Sequence, residues 1–230
     1  GMGNQEGINY AVSCLEADYV IIANPDIHVS PRCIRRVKDA LDKTQGAVAA
    51  SARVKDPMGG ELFSYWTLLP LWKDLLDTGL VTRRLFKAML NTPSYRLGYA
   101  GDEDCRLVDA VPGSFFMLKT GILTPGEIKE VFDKHIFLYY EEKVLGQKFR
   151  KMGLKTVLVT DESYVHAHSV SIDKSFKRIV DKQRLLHRSK LYYYKEYLGT
   201  GPAGMAAARA VLGLVLAEVW FLTVVCRMQW

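Results

Sequence analysis

The run YVIIA at residues 19–23 ends at Asn24-Pro25 and is followed shortly by Ser30-Pro31. A short β-branched, apolar run closed by a proline reads as a buried strand. Ser-Pro reads as a helix N-cap with proline in the first turn, and Ile34, Val37 and Leu41 then share the inner face of that helix. Residues 46–54 form the next apolar, extended stretch, while upstream Ile8, Ala11, Val12 and Leu15 recur at helical spacing. This strand–turn–helix–strand order predicts an α/β fold: a Rossmann-type, mostly parallel sheet flanked by helices, with functional residues at the carboxyl ends of strands.

Farther along, 56–60 reads as a turn, and 63–80 and 82–90 as short helices carrying Trp66 and Trp72. The acidic 101–104 leads into strands at 106–111 and 114–119, parted by Pro112-Gly113, and a further strand is expected at 155–160. With 230 residues, 49% of them hydrophobic and 24% charged, the chain can bury a full core. It divides into a domain at 1–172 and a basic, then apolar, helical tail at 173–230. The net charge of +6 suits an anionic partner. Nucleic acid is not indicated, since no zinc-finger, RRM or helix-turn-helix signature is present. Cys14, Cys33, Cys105 and Cys226 form no C-x-x-C pair, so neither a zinc site nor a disulfide framework is indicated and a reducing, cytoplasmic compartment is expected. Residues 1–17 lack the basic head and unbroken apolar stretch of a signal peptide.

Three clusters carry chemistry. Glu141 and Glu142 open a predicted helix directly after Phe137-Leu138-Tyr139-Tyr140. Acids at a helix start often just complement the dipole, but an aromatic run ahead of them suits a wall better than a solvent face. Partly buried neighbours raise one another's pKa, as a general base requires. Asp26, past the end of a strand, is placed to hold a cation that neutralises a diphosphate, or else to close an Asx turn. His166 and His168 alternate in an extended stretch, so both can face one way as metal or diphosphate ligands, beside Ser169 and Ser171; hydrogen-bonded structural histidines are the plainer reading. Gly113-Ser114 marks a turn, or a close approach of ligand to backbone.

These segments, YVIIANPDIHVS, FLYYEEKVLGQKFRKMG and YVHAHSVS, together resemble the family 2 glycosyltransferases, in particular their rhamnosyltransferase-like branch. The resemblance implies a GT-A-like fold and inverting, metal-assisted transfer of a sugar from a nucleotide sugar, dTDP-rhamnose or a UDP-sugar. The acceptor would be a glycan or a lipid-linked molecule in surface polysaccharide synthesis. It implies Glu142 as base with Glu141 its neighbour, where the family usually has Glu-Asp. Asn24-Pro25-Asp26 would stand for the D-x-D-like motif, with Asn24 in place of the first acid. Asp26, His166 and, as second choice, His168 would hold Mg or Mn with the leaving diphosphate, and the family's histidine-to-serine spacing matches His166 and Ser171. Gly113 and Ser114 would border the sugar. Asp133 is what survives of the element preceding the catalytic acids, Lys134 replacing its last acid. The resemblance starts near Asn4, beyond the nucleotide-binding strands with which such enzymes begin, so a catalytically inactive remnant, or a partner subunit that binds glycan or membrane, stays open beside the active enzyme.

In the tail, Arg184, Arg188 and Lys190 either grip phosphates, with Arg188 the candidate substrate contact, or form a solvated helix face. Residues 203–226 are nearly all apolar, and as a helix would run roughly 36 Å at about 1.5 Å per residue, enough to cross a bilayer core. Arg209 and Glu218 make crossing costly. The expectation is an in-plane helix on an anionic membrane, at the inner face of the cytoplasmic membrane, with Tyr192 to Tyr194, Trp220 and Trp230 at the interface. The competing expectation is packing on the protein's own core or, as a homodimer, on a second copy.

Overall fold

The computed structural model describes residues 2–86, 90, 104–136, 138–167 and 179–226. In chain order the elements are α1 (Met2–Leu15), β1 (Tyr19–Ala23), β2 (Ile27–His28), α2 (Pro31–Lys43), β3 (Ala47–Lys55), α3 (Leu71–Leu76), α4 (Leu80–Leu85), β4 (Cys105–Val108), β5 (Phe115–Lys119), α5 (Pro125–Ile128), α6 (Glu141–Lys151), β6 (Lys155–His166), α7 (Ile179–Glu196) and α8 (Pro202–Trp220). Contacts divide the chain into two units. The first is Gly1–Leu68, Pro93–Phe137 and Glu141–His168; the second is Leu69–Thr92, Leu138–Tyr140 and Ser169–Trp230.

In the first unit the strands form one sheet in the order β1-β5-β3-β6-β2, with β4 also paired to β6. Among the described strands only β3 and β6 pair in parallel, and the other pairings are antiparallel. The sheet is therefore mixed, which corrects the mostly parallel sheet expected from the strand–helix alternation. That expectation assumes that each crossover helix returns the chain to a neighbouring parallel strand. Here the long excursion after β3 brings β5 back in the opposite direction, between β1 and β3. Strands β1, β3 and β6 still run the same way, so their carboxyl ends lie along the sheet edge where β5 begins.

Both faces of the sheet are covered. Cys33, Val37, Ala40 and Leu41 of α2 pack on one side with Ala50, Val157 and Tyr164. Ile8 of α1 and Leu145 and Phe149 of α6 pack on the other with Val48, Ala49 and Phe116. A strand buried on both faces explains the small, mostly apolar residues 47–52 of β3. Helix α2 begins as its sequence predicts: Ser30 Oγ accepts from the Cys33 amide at 3.0 Å, with Pro31 in the first turn.

Strand β6 continues past residue 160, where the expected strand ended, through a bulge. Ala52 pairs with Val159 but Arg53 pairs with Ser163. The acids in the extra loop are held by α2, Asp161 by Arg36 at 2.8 Å and Glu162 by Arg32 at 2.7 Å. A bulge of this kind bends the strand and re-aims the residues beyond it, here Tyr164 and His166.

In the second unit α8 turns Met205, Ala208, Leu212, Val215 and Val219 inward, and α8 packs on α7 and α3. At its centre lies Asp74, 1% exposed, which accepts from the hydroxyls of Tyr140 at 2.5 Å and Tyr194 at 2.6 Å and pairs with Lys190 at 3.1 Å. Burial, with Asp74 adding to it, pushes both hydroxyls up, so they stay protonated and donate. Lys190 thus sits in an interior ion pair rather than on a basic surface, and Tyr193 and Tyr194 are fully buried rather than interfacial. Trp230 lies outside the described residues.

A Cβ on Gly146 would stand 2.4 Å from the Asp109 carbonyl oxygen, so α6 meets that loop with no room for a side chain. Glycine to alanine inside a helix normally stabilises by about 1 kcal/mol. Gly146→Ala is expected to do the reverse, destabilising by about 1–3 kcal/mol in denaturant melts because the backbone must shift.

Candidate active site

Four pieces of the first unit converge where β1 and β6 end and β5 begins. The Asn24 amide, just past β1, donates to the Ser114 carbonyl at 2.8 Å. The Gly113 amide, one residue earlier, donates to Glu142 Oε1 at 3.4 Å. Ser114 Oγ hydrogen-bonds the Tyr164 hydroxyl at 2.7 Å, and His166 follows two residues along β6, on the same side of the strand. His166 Nε2 lies 3.3 Å from Asp26 Oδ1, and the Asp26 carbonyl accepts from the Ala167 amide at 3.0 Å.

Glu142 and Glu141 are the first two residues of α6. The chain enters that helix from Tyr139 and Tyr140, whose φ angles of 64° and 68° are left-handed. Such angles in bulky residues cost of order 1–3 kcal/mol each and cluster at functional sites. Glu142 also borders a small pocket with Ala49, Val111, Phe116, Leu145 and Phe149 in its lining. Burial accordingly pushes its carboxyl above the ordinary glutamate range, and the charge of Glu141 adds to the push. Its own amide and that of Gly113 pull the other way. What approaches Gly113 closely is Glu142: a Cβ there would lie 3.1 Å from Oε1, a tight contact.

Asp26 and His166 come together as their spacing in sequence could not show. Two ligands at adjacent corners around a cation with bonds of about 2.0–2.2 Å stand about 3 Å apart, close to their separation. Among the described residues no group of three or more His, Cys, Asp and Glu is arranged to hold a metal ion. This pair would therefore supply two ligands, leaving the rest to phosphate oxygens and water, as hard cations at nucleotide sites commonly require.

The other predicted residues are placed differently. Asp133 Oδ1 accepts from the His135 amide at 2.8 Å in a local turn. Arg188 is exposed on α7, in the second unit. His168 and Ser171 lie outside the described residues. Tyr164 was missed. Its signal was available: it stands two residues before His166 in a strand-like run, so both share a face.

No protein-family model matches the chain. It is 28% identical over 160 residues to the N-acetylglucosaminyl-diphospho-decaprenol L-rhamnosyltransferase of Mycobacterium tuberculosis, in strains CDC 1551 / Oshkosh and ATCC 25618 / H37Rv. The relation is to glycosyltransferases. It covers 68% of this chain and 50% of each relative, so the chain spans about half the length of the curated relatives it matches. The mixed α/β sheet with flanking helices is compatible with a glycosyltransferase fold.

The raised Glu142 carboxyl has a consequence for stability. Its folded pKa lies above its unfolded one, so the folded state holds this proton more tightly. Stability is then lost as pH rises from the ordinary glutamate range through the raised folded value. Glu142→Gln keeps the acceptor for Gly113 and carries no charge. Thermal melts are expected to show it more stable than wild type at neutral pH, with the gain vanishing in acid, where both side chains are neutral.

Proposed function

We propose that this chain carries the catalytic carboxylates of an inverting, metal-assisted glycosyltransferase of the family 2, GT-A-like type. The donor is a nucleotide sugar, dTDP-rhamnose or a UDP-sugar, and the acceptor is a glycan or lipid-linked sugar of a surface polysaccharide. The observation that carries this reading is the Glu142 carboxyl, bordering a pocket beside Glu141 and held by the Gly113 amide just ahead of β5, where burial raises its pKa. A carboxylate whose affinity for a proton is raised in this way is a stronger base than an ordinary glutamate.

In this scheme Glu142 accepts the proton of the acceptor hydroxyl as that oxygen bonds to the anomeric carbon and the bond from that carbon to the diphosphate breaks. Attack opposite to the leaving group inverts the centre. Glu141 raises the affinity of Glu142 for the proton. Asp26 and His166 are the residues that would hold a Mg or Mn ion, which when bound neutralises charge on the departing diphosphate. Asn24, Gly113 and Ser114 border the sugar, with Ser114 held by its hydrogen bond to Tyr164. On the strength of the sequence resemblance His168 is the second choice for the metal and Ser171 and Asp133 are assigned to substrate contacts, while Arg188 is assigned a substrate contact from the basic stretch that carries it.

Glu142→Gln is expected to lower transfer at least about 100-fold with nucleoside diphosphate affinity unchanged, the pattern of a lost base. Retention of more than about a tenth of the activity would remove Glu142 from that role. By calorimetry with Mg or Mn present, Asp26→Ala and His166→Ala are each expected to weaken UDP or dTDP binding by roughly tenfold or more. Chelating the metal should bring wild type down to the same level. A chain that neither transfers sugar nor binds nucleotide would instead be a glycan- or membrane-binding partner.

A further inference from the structure

The second unit leaves two apolar surfaces uncovered on neighbouring elements. On α8 and the π-helical turn Phe221–Val225, the face opposite the buried stripe shows Leu214, Trp220, Phe221, Val224 and Val225, each at least half exposed. On α4, Val81 and Leu85, one turn apart, are exposed, the latter by 73%. The two are joined, since Glu218 of α8 accepts from the Val81 amide at 3.1 Å and the Leu80 amide at 3.3 Å. This carboxylate is therefore spent on the free amides of α4 instead of facing outward.

The charges left around these surfaces are mostly cations. Arg84 and Arg209 are exposed, and Lys73 lies over the exposed ring of Trp72 at 5.4 Å. Of the acids on these elements Asp74 is interior, Asp77 is paired with Arg83 at 3.3 Å, and Glu218 is engaged as described. An apolar surface rimmed by cations, with a tryptophan at the helix end, has the chemistry of a headgroup-level contact with anionic lipid.

We infer that α4 and the outer face of α8 form one membrane-interface surface that seats the second unit on an anionic bilayer. The segment Pro202–Val225 is long and apolar enough to cross a membrane. Its inner stripe is nevertheless committed to the unit's own core. Crossing would draw in α7, whose outward positions include Arg184, Arg188 and Lys195, each expensive at bilayer depth. An in-plane helix keeps that core and lets Arg84 and Arg209 reach headgroups. A second copy fits this surface less well, because a two-fold interface would bring like cations together.

The inference uses the second unit alone and is independent of the transfer chemistry. Its test is flotation with vesicles of phosphatidylglycerol and phosphatidylcholine against vesicles of phosphatidylcholine alone. The full chain is expected to float with the anionic vesicles, to bind the neutral ones far less, and to be released by high salt. Leu85→Glu and Phe221→Glu, each at an exposed position and each checked for an unchanged melt, should weaken partitioning about tenfold or more. Arg84→Glu should weaken binding to the anionic vesicles only, and Met58→Glu, exposed in the first unit, should change nothing. Binding unaffected by Leu85→Glu or Phe221→Glu would overturn the surface assigned here, and binding that survives a carbonate wash would overturn the in-plane arrangement. A chain that ignores vesicles and sediments as a dimer dissociated by Phe221→Glu would assign the face to a second copy instead.

Discussion

Strand β6 is the constraint on which the first unit depends. Over twelve residues it pairs with β3 in parallel, with β4 along its first half and with β2 at its end. The bulge divides it into two stretches of different purpose. The first stretch, with Val157, Leu158 and Val159 fully buried, is core. The second leaves the straight line of the sheet and delivers Tyr164 to Ser114 and His166 to Asp26. The surface arginines of α2 hold the loop between them. Isolated exposed ion pairs contribute little to stability, so their importance lies in where the strand resumes.

At the other side of the site, tension rather than stability is what the fold maintains. Glu142 is an acid kept where its charge is costly, beside Glu141, whose charge makes it costlier. It comes after two tyrosines in a backbone conformation that bulky residues avoid. The hydrogen bond from Gly113 offsets part of the cost and at the same time fixes the carboxylate against the start of β5. A carboxylate under such tension is poised to accept a proton, which an ordinary helix-capping glutamate is not.

Some local signals in the sequence were legible almost residue by residue, although the helix expected over 63–80 is confined to Leu71–Leu76 and Trp66 lies in an extended bridge instead. The strand expected at 19–23 is β1, and Ser30 and Pro31 cap α2 as their chemistry requires. Relations made over long distances were not. The antiparallel return of β5 depends on a long excursion with no signature of its direction. The run of β6 beyond Thr160 depends on Arg32 and Arg36 of α2, which hold Glu162 and Asp161 from another element. Lys190 reads as one more surface cation of a basic helix, because its partner Asp74 lies more than a hundred residues earlier. In the site, Glu142 could be singled out from the aromatic run before it. Its contact with Gly113, and the pairing of Asp26 with His166, arise only when strand ends meet.

The central claim is that Glu142 is a desolvated carboxyl raised in pKa by its surroundings, and a direct titration tests it without knowledge of donor or acceptor. Carbon-13 NMR of chain labelled at the glutamate side-chain carboxyls, with Glu142→Gln identifying the resonance, reads that pKa in the folded protein. The account predicts a midpoint above the ordinary glutamate range that moves down when Glu141 is replaced by Gln. A midpoint at or below that range, or one indifferent to Glu141, would contradict it.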